Sequence, residues 1–416
     1  MAWESGKLIF HCDCNNFFAS CECLERPELR DVPMAVAGDP EYRTGIVVAK
    51  NELAKKAGVK TTDTVWQAMR KCPGIVFVPP RHSLYAKISK QINAIYHEYT
   101  EFVEPASIDE SFLDMTGALK YYGMDEHTLA GELRRRIREE IGVTISVGVS
   151  YNRVFAKMGS DYKKPDATTV ITRENYRDIL WPLPVSDLLF AGKATVAALN
   201  KKYIYTVGDL ARCSRESINA WLGKGGDQLW IYANGMDSDH VRRFGERDEV
   251  KSISHGMTFR RNLVTEQEVR TGVSVLVDDI AMQLRRQKLK GSVIQVQIKT
   301  PELRTVSRQI TLDHHTYLQH EIKEVAMKLI VDNWPIGIQS PIRAITVGIT
   351  HLVPADEETC QMSMFDMGIG NAGEGGHIDR DKLERIEAAV DDLRKKHGAS
   401  AITLGFHKND DIGIGH

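Results

Sequence analysis

Pro105-Ala-Ser-Ile-Asp109-Glu110-Ser-Phe-Leu-Asp114 sets two adjacent carboxylates inside an otherwise apolar segment. Ile108, Phe112 and Leu113 read as buried strand positions, and ionised carboxylates are seldom left in such surroundings unless paired, hydrogen-bonded or bound to metal. A second acidic position has the same character. In Lys7-Leu-Ile-Phe-His-Cys-Asp13, apolar residues run up a short strand ending in Asp13, and the turn-prone Asn15-Asn16 and aromatic Phe17-Phe18 follow. Three carboxylates at two strand ends could converge on hard divalent cations, which take oxygen ligands and suit phosphoryl transfer. The plainer alternative is that these are solvated turn residues. Geometry adds a condition: successive strand side chains point to opposite faces, so Asp109 and Glu110 share an ion only where the strand bends or the ion sits at its edge.

A chain of 416 residues exceeds one typical core, so about two to four domains are expected. Hydrophobic content of 42% and charged content of 26% fit a globular protein. No apolar run approaches a membrane span, and Met1 to Gly6 lacks the basic and apolar regions of a secretory leader, so a cytoplasmic location is expected. Seven cysteines, an odd number, argue against a closed disulfide framework. A zinc reading of Cys12-x-Cys14 with Cys21-x-Cys23 fails because the second pair falls in a predicted helix, where residues two apart face different ways. The charge balance, 54 basic against 56 acidic side chains, does not advertise nucleic-acid binding, but its distribution does more. From Asp356 onward there are 13 acidic and 7 basic residues, leaving 47 basic and 43 acidic before it. A net of +4 in the body allows one groove to meet phosphates.

Phe10-His-Cys-Asp13-Cys-Asn-Asn-Phe17-Phe18-Ala19, Ala106-Ser-Ile-Asp109-Glu110-Ser111, Val147-Gly-Val-Ser150, Asn152-Arg-Val-Phe-Ala-Lys157 and Lys163-Lys164-Pro165 together resemble the Y-family DNA polymerases, most closely the bacterial polymerase IV branch. The likeness runs from about Leu8 to Phe365. It implies an α+β multidomain, right-hand polymerase: a palm over 1–16 and 82–171, small fingers over 17–81, a helical thumb over 172–239, a linker over 240–250, a little finger over 251–353 and a flexible tail over 354–416. It also implies an error-prone, template-directed enzyme of translesion synthesis that is monomeric and takes primer-template DNA and deoxynucleotides. Asp13, Asp109 and Glu110, with a backbone oxygen near Cys14, would hold two Mg²⁺ ions. Phe18 takes the place of the steric gate that collides with a ribose 2′-hydroxyl, and Phe17 beside it reads as a core aromatic at the edge of the nucleotide site. Lys164 is implied at the triphosphate, Lys157 in a supporting role, and Arg81 at the nucleotide or between fingers and palm.

Where the family commonly has a Tyr and, three residues on, an Arg for the phosphates, this chain has Glu52 and Lys55. Lys55 supplies charge as a point donor rather than a fork. Glu52 would repel a triphosphate, so it is expected to point away or to bond Lys55 or Lys56. Asp187 to Thr195 and Thr206-Val-Gly208-Asp-Leu resemble a helix-hairpin-helix element, in which Gly192 and Lys193 would present amides to a DNA phosphate.

Periodicity alone then gives β-α-β-β-α-β between Ser252 and Ile349. Arg242, Arg243, Lys251, Arg260, Arg261 and Arg308 cluster near the linker and these strands and are expected along DNA backbones. Gln361-Met-Ser-Met364-Phe365, between an acidic stretch and a glycine-rich one, resembles the bacterial sliding-clamp-binding pentapeptide, with Gln361, Met364 and Phe365 as its contacts. Leu383, Ile386, Val390 and Leu393 predict one more amphipathic helix. Two other classes fit parts of the pattern. A palm-type nucleotide cyclase would not need the thumb, second DNA-facing domain and clamp peptide, and a non-catalytic DNA- and clamp-binding scaffold would not need three carboxylates with Lys164.

Overall fold

The structure, a computed structural model, describes residues 6–39, 45–246, 248–356, 380–398, 401–402 and 411–414. The chain forms two compact units that part at Arg247/Asp248. Among the described residues no helix is long and apolar enough to cross a membrane.

The first unit is organised on a five-stranded sheet in the order β5-β6-β1-β7-β8: β1 (Ile9–Cys14), β5 (Val103–Pro105), β6 (Glu110–Asp114), β7 (Ile145–Ser150) and β8 (Thr168–Ile171). β1 is central and buried on both faces. Phe10, Cys12 and Cys14 enter a core with Tyr85, Ile88 and Ile92 of α4 (His82–His97) and Leu129 and Leu133 of α6 (Glu126–Arg136), a helix reached through the short α5 (Ala118–Tyr122). The other face is covered by α7 (Arg153–Tyr162).

A smaller sheet, β3-β2-β4, is made of β2 (Met34–Ala37), β3 (Val47–Lys50) and β4 (Val76–Val78), with α2 (Glu52–Lys56) and α3 (Val65–Lys71) beside it. α1 (Phe17–Glu25) joins the two sheets, because Phe17 and Cys21 pack into the first core while Ala19 and Cys23 pack against β2 and β4. The thumb is helical: α8 (Tyr176–Leu180), α9 (Lys193–Asn200), α10 (Val207–Arg212) and α11 (Arg215–Ala233). Part of the stretch 240–250, expected to be a linker, packs on the five-stranded sheet. Val241 is buried against Ile9, Phe112 and Ala156, and the Phe244 N–H donates to Glu101 O at 3.2 Å.

The second unit has the predicted order: β9 (Ser252–Leu263), α12 (Glu266–Gln287), β10 (Leu289–Lys299), β11 (Thr305–Thr316), α13 (Gln319–Asn333) and β12 (Ile342–Pro354). The strands form an antiparallel sheet, β11-β10-β12-β9, whose Ile294, Val296, Ile345 and Val347 pack under α12 and α13. The described parts of the tail, expected to be flexible, belong to this unit. α14 (Arg380–His397) docks through Glu387 and Asp391 to Arg285, and through Arg394 to Asp278. Ile412 and Ile414 are buried in the core. The predicted apolar stripe of α14 divides: Leu383 and Val390 are half-buried on the side that carries Glu387, Asp391 and Arg394, while Ile386 and Leu393 are exposed. The expected clamp peptide, with Gln361, Met364 and Phe365, lies outside the described residues.

Candidate active site

In the antiparallel pairing of β1 with β6, Asp13 stands directly opposite Glu110. Like charges so placed repel and need a cation between them. Alternation along β1 puts His11 on the same face as Asp13. α7 comes hard onto that face because Gly148 has no side chain, and a Cβ there would lie 1.9 Å from Ala156 O and 2.3 Å from Ser160 N. The close approach delivers the cations. Lys157 Nζ lies 2.6 Å from Glu110 Oε1 and 3.7 Å from Asp13 Oδ2, while Lys164 Nζ lies 2.6 Å from Asp13 Oδ2 and 2.7 Å from Asp161 Oδ1.

Burial pushes Asp13 up to about 7 against the pull of Lys164, and the facing Glu110 adds to the rise. Glu110 is held far below the ordinary carboxylate range by the approach of the His11 ring and by Lys157, against the effect of its own burial. Burial would lower Lys164, but Asp13 and Asp161 override it and hold its ammonium above the usual range. Beneath the pair, Ser160 Oγ donates to Lys157 O at 2.8 Å, so His11 Nδ1 must donate to Ser160 at 2.8 Å. His11 Nε2, 3.8 Å from Glu110 Oε2, has no hydrogen-bond partner.

β6 begins at Glu110, so Asp109 lies on the preceding turn and strand alternation does not separate the two. Its carboxylate accepts from Ser107 Oγ at 2.7 Å, and its carbonyl accepts the Cys14 N–H at 3.0 Å. Asp13, Cys14, Asp109 and Glu110 line one cleft of about 380 Å³. Among the described residues no three acid, histidine or cysteine side chains stand gathered for an ion, since lysines occupy the oxygens of Asp13 and Glu110. The donor chemistry nevertheless fits a divalent cation. Asp13, Glu110 and Asp161 face the two ammonium groups and Asp109 lines the same cleft, a formal charge of −2 that hard oxygen donors would share with a metal.

The opposite wall of the cleft is Phe18 with Val48, Ala49, Lys50 and Thr61 of the fingers. Phe17 touches the cleft but is buried, with 3% of its surface exposed. One expectation is revised here. Lys55 is not among the lining residues and pairs with Glu52 at 3.5 Å; the fingers cation at the cleft is Lys50, whose Nζ donates to Thr61 Oγ1 at 3.1 Å. Glu52 is turned aside by Asn16, which donates to it at 2.8 Å. Arg81 does not line the cleft. It binds the buried Glu22 and the exposed Glu25 of α1, the fingers-to-palm alternative. Lys50 carries no signal in sequence, because a basic strand end is usually a solvated one. His11 carries a readable signal, being two residues before Asp13 on the same strand.

The expected DNA contacts divide. Gly192 and Lys193 are exposed at the start of α9, but Gly208 is a packing glycine, its α-carbon against Trp181. The sequence reading missed Gly223, whose φ of 63° breaks α11 at an exposed Gly-Lys-Gly turn. Arg242 bonds the buried Glu104 at 2.9 Å and Arg243 bonds Glu101 at 3.2 Å, so both fasten the former linker to the palm. In the second unit Lys251 and Arg260 are exposed, while Arg261 bonds Glu268 and Asp411. Arg308 pairs across from the buried Val296 and therefore sits on the helix side of the sheet, where its Nε donates to Asn333 at 3.0 Å. The open face instead carries Gln295, Gln297 and Lys299.

Paired acids on a central antiparallel strand, served by small fingers and followed by a separate β-α-β-β-α-β domain, are the build of a Y-family polymerase. A solved Y-family DNA polymerase chimera has the same fold, with a TM-score of 0.73 at 24% identity, covering 83% of this chain and 99% of its own. Residues 12–161 match the impB/mucB/samB family and residues 250–364 match its C-terminal domain. DNA polymerase IV of Acetivibrio thermocellus is 44% identical over 405 residues, covering 97% of this chain and 98% of the relative. DNA polymerase IV of Clostridium kluyveri is 36% identical, and DNA polymerase IV 1 of Bacillus subtilis 34%, each over 96% of this chain and at least 93% of the relative. The chain belongs to the DNA polymerase IV family, whose members depend on divalent metal.

Proposed function

We propose that this chain is a DNA-directed DNA polymerase that adds deoxynucleotides to a primer 3′ end, releases pyrophosphate, and works in error-prone synthesis across lesions. The observation that carries the reading is the pairing of Asp13 with Glu110 in register at the floor of a cleft walled by Phe18. Asp13, Asp109 and Glu110, with the Cys14 carbonyl, are the residues that would hold two Mg²⁺ ions. Mg²⁺ held by these residues would supply a lowered pKa for the primer hydroxyl and neutralisation of charge on the departing pyrophosphate. Lys164 and Lys50, on opposite walls, offer point charges to the triphosphate. Template-directed addition of one nucleotide to an undamaged primer-template in Mg²⁺ tests the proposal. A folded protein that binds the DNA yet adds nothing would leave the scaffold reading in its place.

Phe18 serves as the sugar gate. Phe18→Ala is expected to lower the preference for deoxyribonucleotides over ribonucleotides by roughly a hundred-fold, read as the ratio of kcat/KM values. An unchanged ratio would remove Phe18 from that role.

Gln361 to Phe365 is assigned to a bacterial sliding clamp, with the polymerase itself a monomer. Deleting these five residues should spare extension of short naked primers and abolish stimulation by the clamp. Stimulation that survives the deletion would place the contact elsewhere.

A further inference from the structure

Glu22 is a fully buried carboxylate for which the proposed chemistry has no use. It lies on α1 one turn after Phe18, so the two side chains share a face of the helix. Its oxygens are saturated by Tyr85 of α4 and by Arg81, the residue just before that helix. Tyr85 Oη donates to Oε1 at 2.6 Å; Arg81 Nε reaches both oxygens at 3.1 Å, and Arg81 Nη2 reaches Oε2 at 2.6 Å. Arg81 Nη1 also holds Glu25 Oε2 at 2.6 Å. The Tyr85 ring then stacks on Phe18, with centroids 4.1 Å apart and planes 15° apart, and His82 meets Phe18 edge-on at 5.7 Å.

A buried carboxylate is costly to desolvate, and a tyrosine bonded to one is fixed in rotation as well as position. An aromatic gate excludes a hydroxyl only if it cannot recede by about the width of the clash, and close-packed rings on a fixed backing provide that stiffness. Phe18 by itself is only half-buried and touches the cleft, so its stiffness must come from behind.

We infer that Glu22 is a specificity-determining positioning residue: clamped by Arg81, it fixes the Tyr85 ring against which Phe18 is braced, and so sets how strongly the enzyme rejects ribonucleotides. The inference rests on the polymerase reading and on Phe18 as the gate. It gives Arg81 a place in nucleotide selection without a nucleotide contact.

The test compares Glu22→Gln, which keeps the volume but loses the charge, with Tyr85→Phe, which keeps the stacked ring but loses the bond. Single-nucleotide addition is measured with matched deoxy- and ribonucleotides. Each variant is expected to lower the discrimination ratio by about five- to ten-fold, through a gain in ribonucleotide kcat/KM. A purely structural role would lower both rates together and leave the ratio unchanged, which overturns the inference. If Glu22→Gln does not fold, Tyr85→Phe decides alone, since it removes one oxygen from a retained ring. Phe18→Ala run alongside separates the failures. A wild type without template-directed addition sinks the polymerase reading, an unmoved ratio in Phe18→Ala sinks the gate, and a collapsed ratio there with unmoved ratios in the other two sinks the bracing alone.

Discussion

Asp13→Asn should reduce single-nucleotide addition on the order of a thousand-fold while leaving primer-template affinity within about two-fold. Asp13 is nearly inaccessible, with 8% of its side chain exposed, and sits on the central strand, in register with Glu110. No neighbour can stand in for it, because Glu110 and Asp109 fill their own places in the same cleft. Asparagine keeps the shape but loses the charge that a divalent ion would need. A second readout guards against a merely damaged protein. Removing one of two facing carboxylates relieves repulsion, so the variant should melt no lower than the wild type. Activity within about ten-fold of wild type would remove Asp13 from the metal-binding set.

Removing the acids of α14 should unfold the second unit far more easily. Arg285 is 12% exposed, and it is neutralised by Glu387 and by a two-point contact with Asp391. Glu387 Oε1 also accepts the Gln319 N–H at 2.9 Å, capping α13, whose own N-cap residue, Leu318, has no side-chain acceptor. Glu387→Ala with Asp391→Ala strands a buried guanidinium and is expected to cost about 3–5 kcal/mol. At roughly 2–4 °C per kcal/mol, the transition of this unit should fall by about ten degrees. Adding Arg285→Met should restore most of the loss, since an uncharged side chain of similar length needs no partner. Hydrogen exchange of α12 and α13 that matches wild type in the double variant would show that α14 does not support them.

Much of this was legible in sequence where a periodic pattern coincided with a buried polar exception. The second unit follows from alternation and helical stripes, and the palm carboxylates stand out because they interrupt apolar strands. The misreadings share a cause. Charge alone points Arg242, Arg243 and Arg308 toward DNA, but an arginine's partner is set by tertiary contact, and Glu104, Glu101 and Asn333 are remote from them in sequence. The apolar stripe of α14 gives only part of its docking face, because Glu387, Asp391 and Arg394 share that face with Leu383 and Val390 and their partners are remote in sequence. Lys50 was overshadowed by the unusual Glu52 and Lys55 nearby, and only the fold of β3 shows which lysine meets the cleft.

The anchoring of α14 changes what kind of handle the candidate clamp peptide is. Residues 361–365 fall in sequence between β12, which closes the sheet, and α14, which is bolted to α12. A partner that takes hold of them therefore grips a bight of rope made fast at both ends, not a trailing line. Load on the polymerase would be divided between a strand and a helix of the same domain, and clipping the chain beyond the peptide would cast off one mooring while leaving the peptide itself intact.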